Sequence, residues 1–145
     1  MRLTLYTDYS LRVLIYLGLK GDQLSTIQEI ADRYHISKNH LMKVTYDLAQ
    51  IGLIETVRGR GGGIRLKVEP KDINIGKLVR HTEEDFHVVE CFERENNHCI
   101  ISPACQLKHA LNEALKAFLH ELDQYTLADF LQSKEELSDL LKKET

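Results

Sequence analysis

Long apolar runs are missing from this chain. The longest near its start, Val13 to Leu19, has seven residues before Lys20, too few for a membrane span or the core of an ordinary signal peptide. A cytoplasmic protein with no membrane partner is therefore predicted. Cysteine is scarce too: there are three, and an odd number does not close into disulfide pairs. In a reducing compartment they stay thiols, which favours metal binding or redox chemistry. No Cys-x2-Cys pair is present, which counts against an ordinary structural zinc site. A cofactor fingerprint and an evident nucleophile–base pair are also missing, which leaves an enzyme or electron carrier as the least supported reading. Nor is there a large excess of charge. A formal net charge of −3 argues against a protein that binds polyanions over its whole surface.

What is there is unevenly placed. Residues 33 to 67 carry seven Lys/Arg against two Asp/Glu, a balance of +5 in a chain whose remainder sums to −8. A basic segment in an acidic protein is the electrostatic footprint of a localised nucleic-acid contact. The three cysteines, Cys91, Cys99 and Cys105, fall within the fifteen residues CFERENNHCIISPAC. Thiolates gathered on a short loop are soft ligands suited to an iron-sulfur centre. The length of 145 residues, 43% of them apolar, suggests one compact domain or a small domain with an appendage.

The helical segments announce themselves by their caps. Thr7 is predicted to cap a first helix through LRVLIYLGL that ends near Gly21, with Asp8 in the first turn, where unpaired N–H groups favour a carboxylate. Thr26 and Glu29 have capping-box spacing and open a short helix to about Tyr34. Ser37 caps the next, with Leu41, Val44, Leu48 and Ile51 as its apolar stripe and Gly52 at its end. Two helices joined by His35 and Ile36 make a helix-turn-helix. The second presents Ser37, Lys38, Asn39, His40, Lys43 and Tyr46 as candidates to meet double-stranded DNA.

LIETVR and IRLKV then read as two alternating strands around Gly59, Arg60, Gly61, Gly62 and Gly63, a hairpin wing with Arg58 and Arg60 at its tip. Gly61 lets the backbone approach DNA closely. A nucleotide-binding loop would lead into a helix, whereas this one leads into a strand. Asn74 caps a further helix to about Glu84. Ser102 and Pro103 are predicted to start the longest helix, Pro103 to Gln124, placing Cys105 in its first turn, where free backbone N–H groups favour a thiolate. Its two apolar stripes, one through Leu107, Leu111, Ala114, Phe118, Leu122 and Tyr125 and one through Leu115 and Leu119, serve a homodimer interface or an intrachain contact. Thr126 with Asp129 and Ser133 with Glu136 predict two short helical pieces before a charged, frayed end. The expected architecture is mainly α with a small β-hairpin wing: a winged helix-turn-helix plus a long C-terminal dimerisation helix. The expected division is 1–84 for DNA binding, 85–102 for the cysteine loop and 103–145 for the dimerisation helix and tail.

With these elements placed, TDYSLRVLIYL, SKNHLMKVTYDLAQIGLIETVRGRGGGIRL and the three cysteines ahead of a long helix resemble the NsrR/IscR family of iron-sulfur winged-helix repressors, and within it the nitric-oxide-sensing NsrR branch. The wing segment is the most specific part of the likeness. On the residues alone the fourth ligand of a four-iron cluster stays open among Asp8, His98, Glu90, His87 and His109. The resemblance implies Asp8, reaching across from the partner subunit. It also implies a homodimeric repressor on operator DNA, controlled by a [4Fe-4S] cluster whose nitrosylation relieves repression. Alternatives kept open are a [2Fe-2S] cluster or zinc, with His98 beside Cys99 as zinc's fourth ligand, serving an iron-sulfur-status, iron or redox sensor of the same family.

Overall fold

A computed structural model describes residues 1–142. The charged end expected to fray lies, past Lys142, outside the described residues. The order is α1 (Leu5–Lys20), α2 (Ile27–Tyr34), α3 (Lys38–Gln50), β1 (Ile54–Val57), β2 (Gly63–Leu66), α4 (Ile75–Thr82), α5 (Gln106–Leu122) and α6 (Lys134–Lys142). Short 3₁₀ turns at Pro70–Asp72, Glu90–Phe92, Ser102–Ala104 and Leu127–Phe130 punctuate the connections. The mainly helical winged helix-turn-helix is as expected. No helix among the described residues is long and apolar enough to cross a membrane.

The core forms around α1. Val13, Leu14 and Leu17 are fully buried and meet Ile30 of α2, Leu41, Val44 and Leu48 of α3, Ile54 of β1 and Ile64 of β2. Burying a side chain of this size contributes about 1.5–3 kcal/mol, so α1 anchors the helix-turn-helix and the wing, which together form the reading head expected from the sequence. Leu127, also fully buried, brings the segment after α5 back into this core, and the Asn74–Thr126 bridge pins it there. α6 then packs against α2.

Several caps are where the residues place them. Thr26 and Glu29 form a reciprocal capping box, Ser37 accepts from the His40 N–H, and Asn74 accepts from the Lys77 N–H at 2.9 Å. Three expectations need correction. The first helix is capped by Thr4, not Thr7: Thr4 Oγ1 accepts the Thr7 N–H, while Thr7 is buried and donates to Thr82 Oγ1 at 2.8 Å. α3 stops at Gln50, so Ile51 leaves the helix as its C-cap and lies 37% exposed instead of joining the stripe. α5 starts at Gln106, because Pro103 sits in a 3₁₀ turn and Cys105 is extended (ψ 112°). Cys105 is thus the N-cap and not a residue of the first turn.

β1 and β2 pair antiparallel with Ile54 opposite Leu66 and Val57 opposite Gly63. A third segment completes the wing. Ser25 and Ile64 exchange backbone hydrogen bonds of 3.0 and 2.7 Å, tying the α1–α2 linker to β2. A Cβ on Gly63 would stand 2.6 Å from the Ser25 carbonyl oxygen, too close to leave that bond intact. Gly63→Ala is therefore expected to lower stability by about 1–3 kcal/mol, read as a fall in the urea midpoint. An unchanged midpoint would show that the linker does not brace the wing.

Candidate nucleic-acid interface and thiol site

The expected DNA-binding residues share two neighbouring elements. Ser37, the N-cap of α3, and Lys38, Asn39, His40 and Lys43 on its first half are all exposed, and Arg58, Arg60 and Gly61 are exposed at the wing tip. The inward face of α3, Leu41, Val44, Thr45 and Leu48, is buried, so burial alone orients the polar face outward. Gly59 and Gly61 take positive φ, 96° and 75°, which turns the tip and favours glycine. Among the described residues no ion pair engages Lys38, Lys43, Arg58 or Arg60, whereas Arg65 at the wing base is held by Glu55 at 2.7 Å. Cations without a carboxylate partner are available to phosphates.

α1 is clipped to this reading surface. The Tyr6 hydroxyl donates to Asp47 Oδ2 of α3 at 2.6 Å. Burial, reinforced by the Asp47 carboxylate, holds that phenol well above the usual tyrosine range, so it remains a donor. The Tyr9 ring meets the His40 ring edge-on, centroids 5.5 Å apart. Arg12 lies 5.8 Å from the centres of both the Tyr9 and the Tyr34 rings, and Tyr34 Oη donates to the Arg12 carbonyl at 3.1 Å.

Arg12 also grips Asp8. Its Nε and Nη2 donate to the two carboxylate oxygens, each at 2.9 Å, and the Asp8 bond raises the arginine's already high pKa. Both side chains are about two-fifths exposed. A pair one helical turn apart at such exposure contributes about 0.3–0.5 kcal/mol, so Asp8 can exchange this partner for another at little cost. Asp8 does lie in the first turn of α1, as expected.

All three cysteines are free thiols. Cys91 and Cys105 line one open cavity of about 560 Å³. Arg94, Lys108, His87 and His109 border it, and no carboxylate does among the described residues. The Lys108 N–H donates to Cys105 Sγ at 3.4 Å. Cys99 is exposed and lies outside this lining, its N–H bonded to the Asn97 side chain at 3.0 Å. Among the described residues no three His, Cys, Asp or Glu side chains stand close enough to hold a metal. A single chain thus brings two of the expected ligands to one cavity and leaves Cys99 and Asp8 apart from it. In chemistry the donors fit an anionic iron-sulfur group: two soft thiols under cationic neighbours, with a third on the same loop. Of the other fourth-ligand candidates, Glu90 accepts the His98 N–H at 3.3 Å and so closes the loop on itself.

Sequence reasoning missed Arg12 and Tyr9. The four-residue step from Asp8 to Arg12 was a readable signal, whereas the Tyr9–His40 contact depends on how α1 crosses α3.

The chain is similar to known proteins over most of its length. A family model described as "Rrf2: Iron-dependent Transcriptional regulator" matches residues 3–133. A Bacillus subtilis (strain 168) protein named HTH-type transcriptional regulator NsrR is 61% identical over 98% of each chain. One of the same name from Halalkalibacterium halodurans is 55% identical, again over 98% of each. Among solved structures, the oxidized form of Staphylococcus aureus CymR superposes with a TM-score of 0.72 at 25% identity, covering 91% of this chain and 97% of that one. T. potens IscR, at 24% identity, shares the fold with a TM-score of 0.71 over 100% of this chain and 93% of its own.

Proposed function

This chain belongs to the Rrf2 family of transcriptional regulators, and from that premise we propose that it is a nitric-oxide-responsive repressor that binds operator DNA as a homodimer. Its relatives are regulators and not enzymes. The observation that carries the sensing half is the cavity that Cys91 and Cys105 both line, with Arg94 and Lys108 on the same lining. Cys91, Cys99 and Cys105, with Asp8 of the partner subunit, would hold the [4Fe-4S] cluster. Bound there, the cluster supplies iron that nitric oxide can coordinate. The NsrR relatives favour this over the [2Fe-2S], zinc or iron-status alternatives, which relatives of other names keep as the second reading.

The chain's own residues supply the link to DNA. Asp8 has two uses, as partner of Arg12 within its helix or as a ligand across the dimer. In the second use it joins α1 of one subunit to the cysteine loop of the other. α1 carries the reading head with it through the Tyr6–Asp47 bond and the Tyr9–His40 contact. The spacing of two reading heads then matches a two-fold operator. When Asp8 returns to Arg12 the tie is lost, and the DNA-competent arrangement loses its advantage. α5 supports the dimer: a 17-residue amphipathic helix with no fully buried side chain in one chain, and with Leu107 66% exposed, has apolar surface left for a second copy.

A preference of about 3 kcal/mol between arrangements changes operator affinity roughly a hundredfold. Asp8→Ala is expected to alter the visible absorption of the protein purified without oxygen and to remove most of that difference in gel-shift titrations. Unchanged absorption and full nitric oxide response in this variant would discard the cross-subunit tie. For the wing, Arg60→Ala is expected to weaken operator binding and to reduce the slope of log affinity against log salt by about one. An unaltered slope would take Arg60 away from the phosphates.

A further inference from the structure

The outward face of α3 is not uniformly polar. Met42 and Tyr46 are 49% and 64% exposed. Met42 accepts from Thr45 Oγ1 at 3.2 Å through its main-chain oxygen; among the described residues no hydrogen bond or ring contact engages either side chain. Lys43 stands between them in sequence, and Asn39 precedes them by one turn on the same face. The thioether chain of Met42 and the ring of Tyr46 leave apolar area in water amid donors and cations. On a recognition helix they have a specific use. Base edges in the major groove present donors and acceptors throughout, and a single apolar group, the C5 methyl of thymine.

The spacing matches. Residues four apart on a helix are displaced by about 6 Å along its axis, and successive bases on one strand by about 3.4 Å. Met42 and Tyr46 can therefore meet bases one or two steps apart. We propose that Met42 and Tyr46 are specificity-determining residues that contact the C5 methyl groups of two thymines, one or two base pairs apart, in each operator half-site. This rests on the reading of α3 as the recognition helix. Asn39 and Lys43 supply polar contacts beside them, while the apolar pair selects thymine where a hydrogen-bonding residue would select by edge pattern.

The test removes the methyl and nothing else. An operator is first selected from a random duplex pool by the full-length protein purified without oxygen, and each thymine of one half-site is then replaced singly by deoxyuridine. At two positions the wild-type affinity is expected to fall about fourfold, the size of losing one buried methyl group. Met42→Ala is expected to abolish the effect at one position and Tyr46→Ala at the other, each leaving the remaining position responsive. Tight operator binding with no methyl dependence, or variants that keep both effects, would overturn the assignment while leaving the DNA-binding reading intact. A protein that enriches no sequence would overturn both.

Discussion

Burial of the apolar face of α1 is the constraint on which the rest of the molecule depends. One helix packs against α3, β2, α4 and the 3₁₀ turn after α5, so none of these elements keeps its place if α1 moves alone. The helix is therefore a rigid strut with one buried face and an open first turn. Its buried half holds the reading head through Val13, Leu14 and Leu17, and its first turn shows Asp8 to solvent. A close-packed core transmits a displacement at one end of such a strut instead of absorbing it.

Two surfaces divide the chemistry cleanly. Hard cations that have no carboxylate partner among the described residues, with hydroxyl or amide donors, cluster on α3 and the wing, suited to phosphate and base edges. Soft thiols gather after α4, where Arg94 and Lys108 offset negative charge without competing as ligands. The exposed Asp8–Arg12 pair belongs to neither, on the first turns of α1. In the proposed exchange its small net strength matters, since a buried and fully bonded pair would cost several kcal/mol to break.

Much of this was legible because it is local. Thr26, Ser37 and Asn74 cap helices through side chains that reach only three residues ahead, and the glycines of the wing tip sit between two short β-patterns. Local competition is also where reading failed: Thr4 and Thr7 are both plausible caps, and only the buried bond from Thr7 to Thr82 decides between them. Pro103 fitted a helical first position until the chain used it for a 3₁₀ turn and moved the cap to Cys105. Contacts between distant segments left no trace in the pattern. The Ser25–Ile64 bridge, the return of Leu127 to the core and the Tyr9–His40 contact all depend on how helices cross. The cysteine cluster was evident as a spacing, yet only Cys91 and Cys105 share a cavity in one chain.

The central claim is that the thiol site and the reading head are coupled. The most direct test is a nitric oxide titration without oxygen in which visible absorption and operator affinity are followed in the same samples. The account predicts a brown protein whose absorption changes in step with a roughly hundredfold loss of affinity. Affinity that stays constant while the absorption changes, or a colourless protein with full operator affinity, would contradict it.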